Sequence, residues 1–170
     1  MAPTIIHIFI AYLLQPLSRN RLNVAALMIG AAIPDMESAF YAIQASQFCT
    51  TAQCVADWPS HMLFHSFLGL FIIVAPLAAA SALWLGSKGW KGWKLAYLSA
   101  FAGGLLHALT DMTGHAASDA VHLLWPSTAG FSIGLPLGLD TILLEAAALL
   151  GLAIFLAKET KHFPKLRFWK

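Results

Sequence analysis

Five apolar stretches divide the 170-residue chain. They run from about Pro3 to Leu17, Leu22 to Gln44, His61 to Leu85, Trp93 to Gly114 and Leu137 to Ala157. A helix needs about 20 apolar residues to cross the hydrocarbon core of a bilayer. The second to fifth stretches reach that length, and the first, with Pro16 near its end, falls short. The pattern predicts an all-α polytopic membrane helix bundle of about five helices, four full spans plus a short N-terminal helix packed against them. Lys and Arg separate these stretches unevenly. Arg19 and Arg21 precede the second, Lys88, Lys91 and Lys94 precede or open the fourth, and Lys158, Lys161, Lys165, Arg167 and Lys170 follow the fifth. Positive loops stay on the cytoplasmic side. Five alternating crossings satisfy that rule without skipping any. The N-terminus and the loops of about Ala45–Ser60 and His115–Pro136 then face out, while the Arg19 turn, the Lys88 loop and the C-terminus face in. This predicts a multi-pass protein of a bacterial inner membrane, with a single helical domain over 1–157 and a basic, aromatic cytoplasmic tail over 158–170.

Composition agrees. Hydrophobic residues make up 59% and charged residues 11% of the chain, against roughly 25% charged in a soluble domain. The net charge is +2, and no basic stripe alternates with aromatics, which argues against nucleic-acid binding. The first stretch has no basic n-region and contains His7, so no cleavable signal peptide is expected. Trp84, Trp90 and Trp93 flank the Lys88 loop as an interfacial belt, and the tail suits anionic lipid. Cys49 and Cys54 share the first outward loop, where an oxidising compartment favours a disulfide; two free thiols are the alternative.

The polar residues change the picture more. His7, Asp35, Glu37, His61, His65, His107, Asp111, His115, His122, Asp140 and Glu145 all map to the outward side, whereas the inner halves of the stretches are nearly devoid of such groups. Ionisable side chains are costly in hydrocarbon, and a bound metal explains such a gathering. His61 and His65 are four apart, and His107, Asp111 and His115 form an i, i+4 row on one helix face. Imidazole and carboxylate are usual ligands for zinc and similar ions, and mixed His/Asp ligation leaves positions open. Gly103 and Gly104 beside His107 permit close helix packing.

Each residue also has a plainer reading. His7 or His122 alone would be a hydrogen-bonded core histidine, and His61 a solvated one. Asp35, after Pro34, would be a turn or cap residue. Asp140 would cap the fifth helix, Asp57 and Asp119 would be loop acids, and Glu145 would partner a histidine. His107 with Asp111 resists that treatment, both being embedded on one face.

Several motifs occur in a telling order. Gly30-Ala-Ala-Ile-Pro-Asp35-Met-Glu37 resembles the "G-x-x-x-P-D-x-D" box of the YdjM-like membrane-bound metal-dependent hydrolases. His7 precedes it. Phe64-His65-Ser66 follows as an "H-S" element, then His107-Ala-Leu-Thr-Asp111 as "H-x-x-x-D", and His122-Leu-Leu-Trp-Pro126 as a loop ending in "W-P". The resemblance covers about Thr4 to Pro126. It implies a distant likeness to zinc-dependent phospholipase C and to three-zinc nucleases that cleave phosphate esters. It further implies His7, Asp35, His65, His107 and Asp111 as ligands, with His61 and His115 as further candidates. Two departures stand out. Glu37 occupies the place of a second Asp, and the relatives' late "H-x-x-x-E" pair is missing because position 141 is Thr. One or two zinc ions, or another divalent metal, are therefore expected.

These readings predict a metal-dependent hydrolase at the extracytoplasmic face, acting on a phosphoester of membrane lipid or another lipid-linked substrate. Asp35 or Glu37 would be its general base. Two rivals remain. One is a haem protein with axial His65 and His107. The other is a non-enzymatic metal-binding protein or accessory subunit of a larger membrane complex.

Overall fold

The structure, a computed structural model, describes residues 4–18, 21–48, 59–84, 89–114, 121–127, 129, 132 and 139–159, without the side chains of 37–48, 59–61, 89–91, 114, 139–141 and 159. The described elements are helical: α1 (Thr4–Tyr12), α2 (Leu14–Leu17), α3 (Val24–Phe48), α4 (Pro59–Phe64), α5 (Phe67–Trp84), α6 (Gly89–Gly114) and α7 (Leu139–Glu159). The all-helical expectation is met.

Of the described helices, Phe67–Trp84 is the one long and apolar enough to cross a membrane by itself. Thr4–Leu17 and Val24–Met36 are shorter apolar stretches. The expectation of four full spans is thus met by composition in a single helix. In α6 the reason is chemical: His107 and Asp111 lower the hydropathy of an otherwise apolar segment.

Two local devices set the entry to α3. The Gln15 side chain closes on the backbone of Leu22, with Nε2 donating to its carbonyl at 2.9 Å and Oε1 accepting its N–H at 3.2 Å. Asn23 then caps α3, its Oδ1 accepting the Ala26 N–H at 3.0 Å. The Asn23 N–H donates to Ser99 Oγ at 2.9 Å, tying the start of α3 to α6. Such caps satisfy N–H groups that the first turn of a helix leaves open.

Small residues bring α3 and α6 into backbone contact. A Cβ on Gly30 would strike the Ala100 carbonyl, and one on Gly103 would strike that of Leu27. The expectation of close packing at Gly103 and Gly104 holds. Ala26, Leu27, Ala31, Ala96, Ala100 and Ala108 are buried along this seam. On the other side of α1, Gly151 of α7 abuts the Phe9 backbone, and Phe155 meets the rings of Phe9 and Tyr12 at 5.9 and 5.3 Å.

The third apolar stretch is not one helix. It breaks at His65-Ser66, between α4 and α5. Ser66 is extended (φ −92°, ψ 156°), donates its hydroxyl to the Leu63 carbonyl at 2.8 Å and accepts the Gly69 N–H at 3.0 Å. A serine that satisfies the backbone this way competes with helix continuation. The break places His65 one residue past the end of the helix that carries His61, whose side chain lies outside the described residues. The turn that follows, Leu70–Val74, is a π-helix, a form often found near functional sites. Tyr97 Oη of α6 donates to the Phe71 carbonyl within it at 2.7 Å.

Polarity is inverted relative to a water-soluble bundle. His7, Asp35, His65, Ser66, Ser99, His107 and Asp111 are buried, while Phe71, Ile72, Leu77, Trp84, Ile142, Leu149 and Leu150 are exposed. Small residues inside and large apolar ones outside are what packing in lipid favours.

Candidate metal centre

Three helices and one helix break deliver five donors to one place. His7 comes from α1, Asp35 from α3, His65 from the α4–α5 break, and His107 with Asp111 from α6. Asp35 follows Pro34 inside α3, not at a turn or cap. Proline cannot donate to the carbonyl four residues back. Here that carbonyl belongs to Gly30, and the next one, of Ala31, accepts a bond from outside the helix.

Asp35, His65, His107 and Asp111 each place one ligand atom so that all four lie within 4.8 Å of one another, and all four residues are buried. His107 Nε2 stands 3.2 Å from His65 Nε2, 3.2 Å from Asp111 Oδ2 and 3.6 Å from Asp35 Oδ1. His65 Nε2 is 3.4 Å from Asp111 Oδ2. Ligand atoms at ~2.0–2.1 Å in a tetrahedron around zinc are spaced about 3.3 Å apart. The observed contacts bracket that edge length.

Proton placement leads to the same conclusion. His107 Nδ1 lies 2.8 Å from the Ala31 carbonyl oxygen. A carbonyl only accepts, so Nδ1 carries the proton and a neutral ring presents a bare lone pair at Nε2. That lone pair faces carboxylate oxygens and a second imidazole. Electron-rich atoms converge in this way when a cation lies among them, and a ligating histidine commonly anchors its other nitrogen to a backbone carbonyl.

His7 stands beside this set. It is 1% exposed, its ring centroid is 4.1 Å from that of His107, and its Nε2 is 3.2 Å from Asp111 Oδ1. Among the described residues this Nε2 has no partner in hydrogen-bonding geometry. Asp111 therefore shows one oxygen to His7 and the other to His65 and His107. The donor set fits a divalent metal ion.

The remaining candidates divide as follows. The side chains of Glu37 and His61, and all of His115, lie outside the described residues, as do Cys49, Cys54, Asp57, Asp119 and the tail from position 160. Asp140 is in the first turn of α7, its side chain likewise undescribed. Glu145 is exposed and lines an apolar cavity of about 270 Å³ with Ile5, Ile6 and Phe9 of α1, away from the cluster. His122 is half-buried in the stretch 121–127, whose Leu123 carbonyl accepts the Phe67 N–H at 2.9 Å. Sequence reading missed Thr110 and the Ala31 carbonyl, which hold the rings of His7 and His107. No motif marks either, because both contacts join distant segments.

A helical bundle with apolar side chains outward and histidines and carboxylates gathered inside belongs to the class of helical membrane proteins with a candidate metal site. The family model described as YdjM inner membrane protein matches residues 2–167. The chain belongs to that family. No curated protein and no solved structure matches it. The match speaks of an inner membrane protein and not of hydrolysis, and it lends no support to the expected likeness to zinc-dependent phospholipase C.

Proposed function

We propose that this protein is an integral-membrane, metal-dependent hydrolase, with zinc as the ion its ligand types suit best. It acts at the extracytoplasmic face on a phosphoester of membrane lipid or another lipid-linked substrate. The observation that carries this reading is the convergence of Asp35, His65, His107 and Asp111 within 4.8 Å of one another, with the contacts among His65, His107 and Asp111 near the edge length of a tetrahedral ion. A cation among them would satisfy the lone pair at His107 Nε2 and the carboxylate oxygens that face it. His65, His107 and Asp111 hold the ion, with His7 on the far oxygen of Asp111. A divalent ion bound here supplies Lewis acidity toward a phosphoryl or carbonyl group and acidifies water.

The chain's own residues supply the rest. Asp35 is 8% exposed, the most accessible of the five donors, and its neighbour Met36 is 55% exposed. Asp35 would ligate the ion or accept a proton from water. Glu37, one residue beyond Met36, is the alternative base. The arrangement also supports alternating crossings that bring these donors to one side of the membrane, the outer side being assigned from the positive loops alone. Donors assigned to the outward ends of four different segments touch one another, as that topology demands.

A small ion fits better than haem. Two nitrogens on opposite sides of an iron, each about 2 Å from it, would stand about 4 Å apart. His65 and His107 are at 3.2 Å, with Asp111 against both. The deciding experiment is metal analysis of the purified protein and of His107→Ala and Asp111→Ala. It is followed by assay of lipid phosphodiester cleavage in vesicles with and without chelator. Stoichiometric metal lost in both variants, with chelator-sensitive cleavage, is the expected result. Metal kept by both variants, or absent from the wild type, overturns the metal reading. Metal binding with no cleavage of any lipid phosphodiester leaves the accessory-subunit role.

A further inference from the structure

Thr110 is not a ligand, yet it lies between two of them. Its hydroxyl donates to the carbonyl of His107, one helical turn back, at 2.8 Å, a common habit of threonine within helices. His7 Nδ1 approaches the same oxygen to 2.7 Å. A threonine hydroxyl has one hydrogen, and the His107 carbonyl takes it. Thr110 Oγ1 can therefore only accept from His7, so Nδ1 of His7 bears the proton and Nε2 is left as the lone pair. That Nε2 is buried and turned toward Asp111 Oδ1 at 3.2 Å.

We propose that Thr110 is a positioning residue of the centre: it fixes the tautomer and direction of the His7 ring and thereby makes His7 a donor. The chain of bonds runs from His7 Nδ1–H to Thr110 Oγ1, then from the Thr110 hydroxyl to the His107 carbonyl. His107, whose own Nδ1–H is held by the Ala31 carbonyl, and His7 are thus oriented alike, both presenting Nε2 to the same carboxylate. The back-bond of Thr110 to its own helix holds its rotamer and so fixes the oxygen that receives His7. The role of His7 as a ligand rests on the metal reading above; the tautomer does not.

Two measurements test this. The first is the nitrogen spectrum of ¹⁵N-histidine-labelled, metal-free protein at pH 8, with His7 assigned by comparison with His7→Gln. The proton is expected on Nδ1 in the wild type and in Thr110→Ser, and partly on Nε2 in Thr110→Val. A wild-type His7 protonated at Nε2 overturns the proposal. The second is zinc affinity by chelator competition for the wild type, Thr110→Val, His7→Ala and the double variant. Loss of a group that orients a ligand lowers affinity about ten- to hundredfold. Thr110→Val should show such a loss, Thr110→Ser should restore binding, and Thr110→Val should add nothing in the His7→Ala background. Independent, additive losses would mean that Thr110 acts on the helix and not through His7, and would sink the idea. If the wild type takes up no zinc, the metal reading fails, and the nitrogen spectrum still decides what Thr110 does.

Discussion

The Nε2 atoms of His65 and His107 face each other at 3.2 Å, and the proton of His107 is already committed to the Ala31 carbonyl at its other nitrogen. Two arrangements relieve this meeting. Either extra protons convert imidazoles to imidazolium beside Asp35 and Asp111, or a cation lies between the rings. The spacing near a tetrahedral edge favours the cation, and the two differ in what they do when zinc is offered.

Zinc should raise the thermal midpoint of the detergent-solubilised protein, and a chelator should lower it. An ion that binds only the folded state stabilises it by about 2.7 kcal/mol at a free concentration a hundred times its Kd. Differential scanning fluorimetry with stepped zinc reads this directly. The zinc-dependent gain should shrink as the buffer is made acidic, because protons and the ion compete for the same imidazole lone pairs. A midpoint unmoved by zinc between pH 6 and 8 would favour the protonated cluster.

Asp111→Asn should reduce zinc affinity more than any other single conservative change at the centre. Asp111 is in contact with His7, His65 and His107. An amide can offer one oxygen but not a second, and it brings no charge. Titration against a chelator of known affinity should rank Asp111→Asn below Asp35→Asn. The reverse order would show that Asp35 dominates.

Gly103→Val should abolish metal binding without touching a donor. The added side chain meets the Leu27 carbonyl, which forces α3 away from α6 and separates Asp35 from His107. Overpacking of this kind costs about 1–3 kcal/mol. The expected outcome is a lower midpoint together with lost zinc uptake. A variant that folds with an unchanged midpoint and full zinc affinity would contradict the α3–α6 contact.

Ser66→Ala should weaken the centre through His65. Losing the cap costs about 1 kcal/mol, and the break that presents His65 loses both hydroxyl bonds, to Leu63 and from Gly69. Zinc affinity is expected to fall while Ser99→Ala, which removes a buried serine far along the same bundle, lowers the midpoint and spares affinity. Equal affinity losses in the two variants would show that the effect is general destabilisation.

Much of this protein is legible along the chain because the relevant rules are local. Apolar stretches end where α2, α3, α6 and α7 end, within a few residues. The i, i+4 spacing of His107 and Asp111 fixes their shared face before any packing is known, and the glycines at 103 and 104 announce a close neighbour. Periodicity could not foresee the break at His65-Ser66, because an apolar run with one serine reads as a continuous helix. Pro34 also left Asp35 a plainer reading as a turn or cap residue, which the course of α3 through both residues overturns. The meeting of His7 with Thr110 spans 103 residues, that of His107 with Ala31 spans 76, and that of His107 with His65 spans 42. Sequence alone determined which residues had reason to gather and on which helices they ride. The packing of α1, α3 and the broken α4–α5 segment around α6 decided which of them touch, because a contact between distant segments depends on the whole bundle and leaves no periodic trace in any one of its helices.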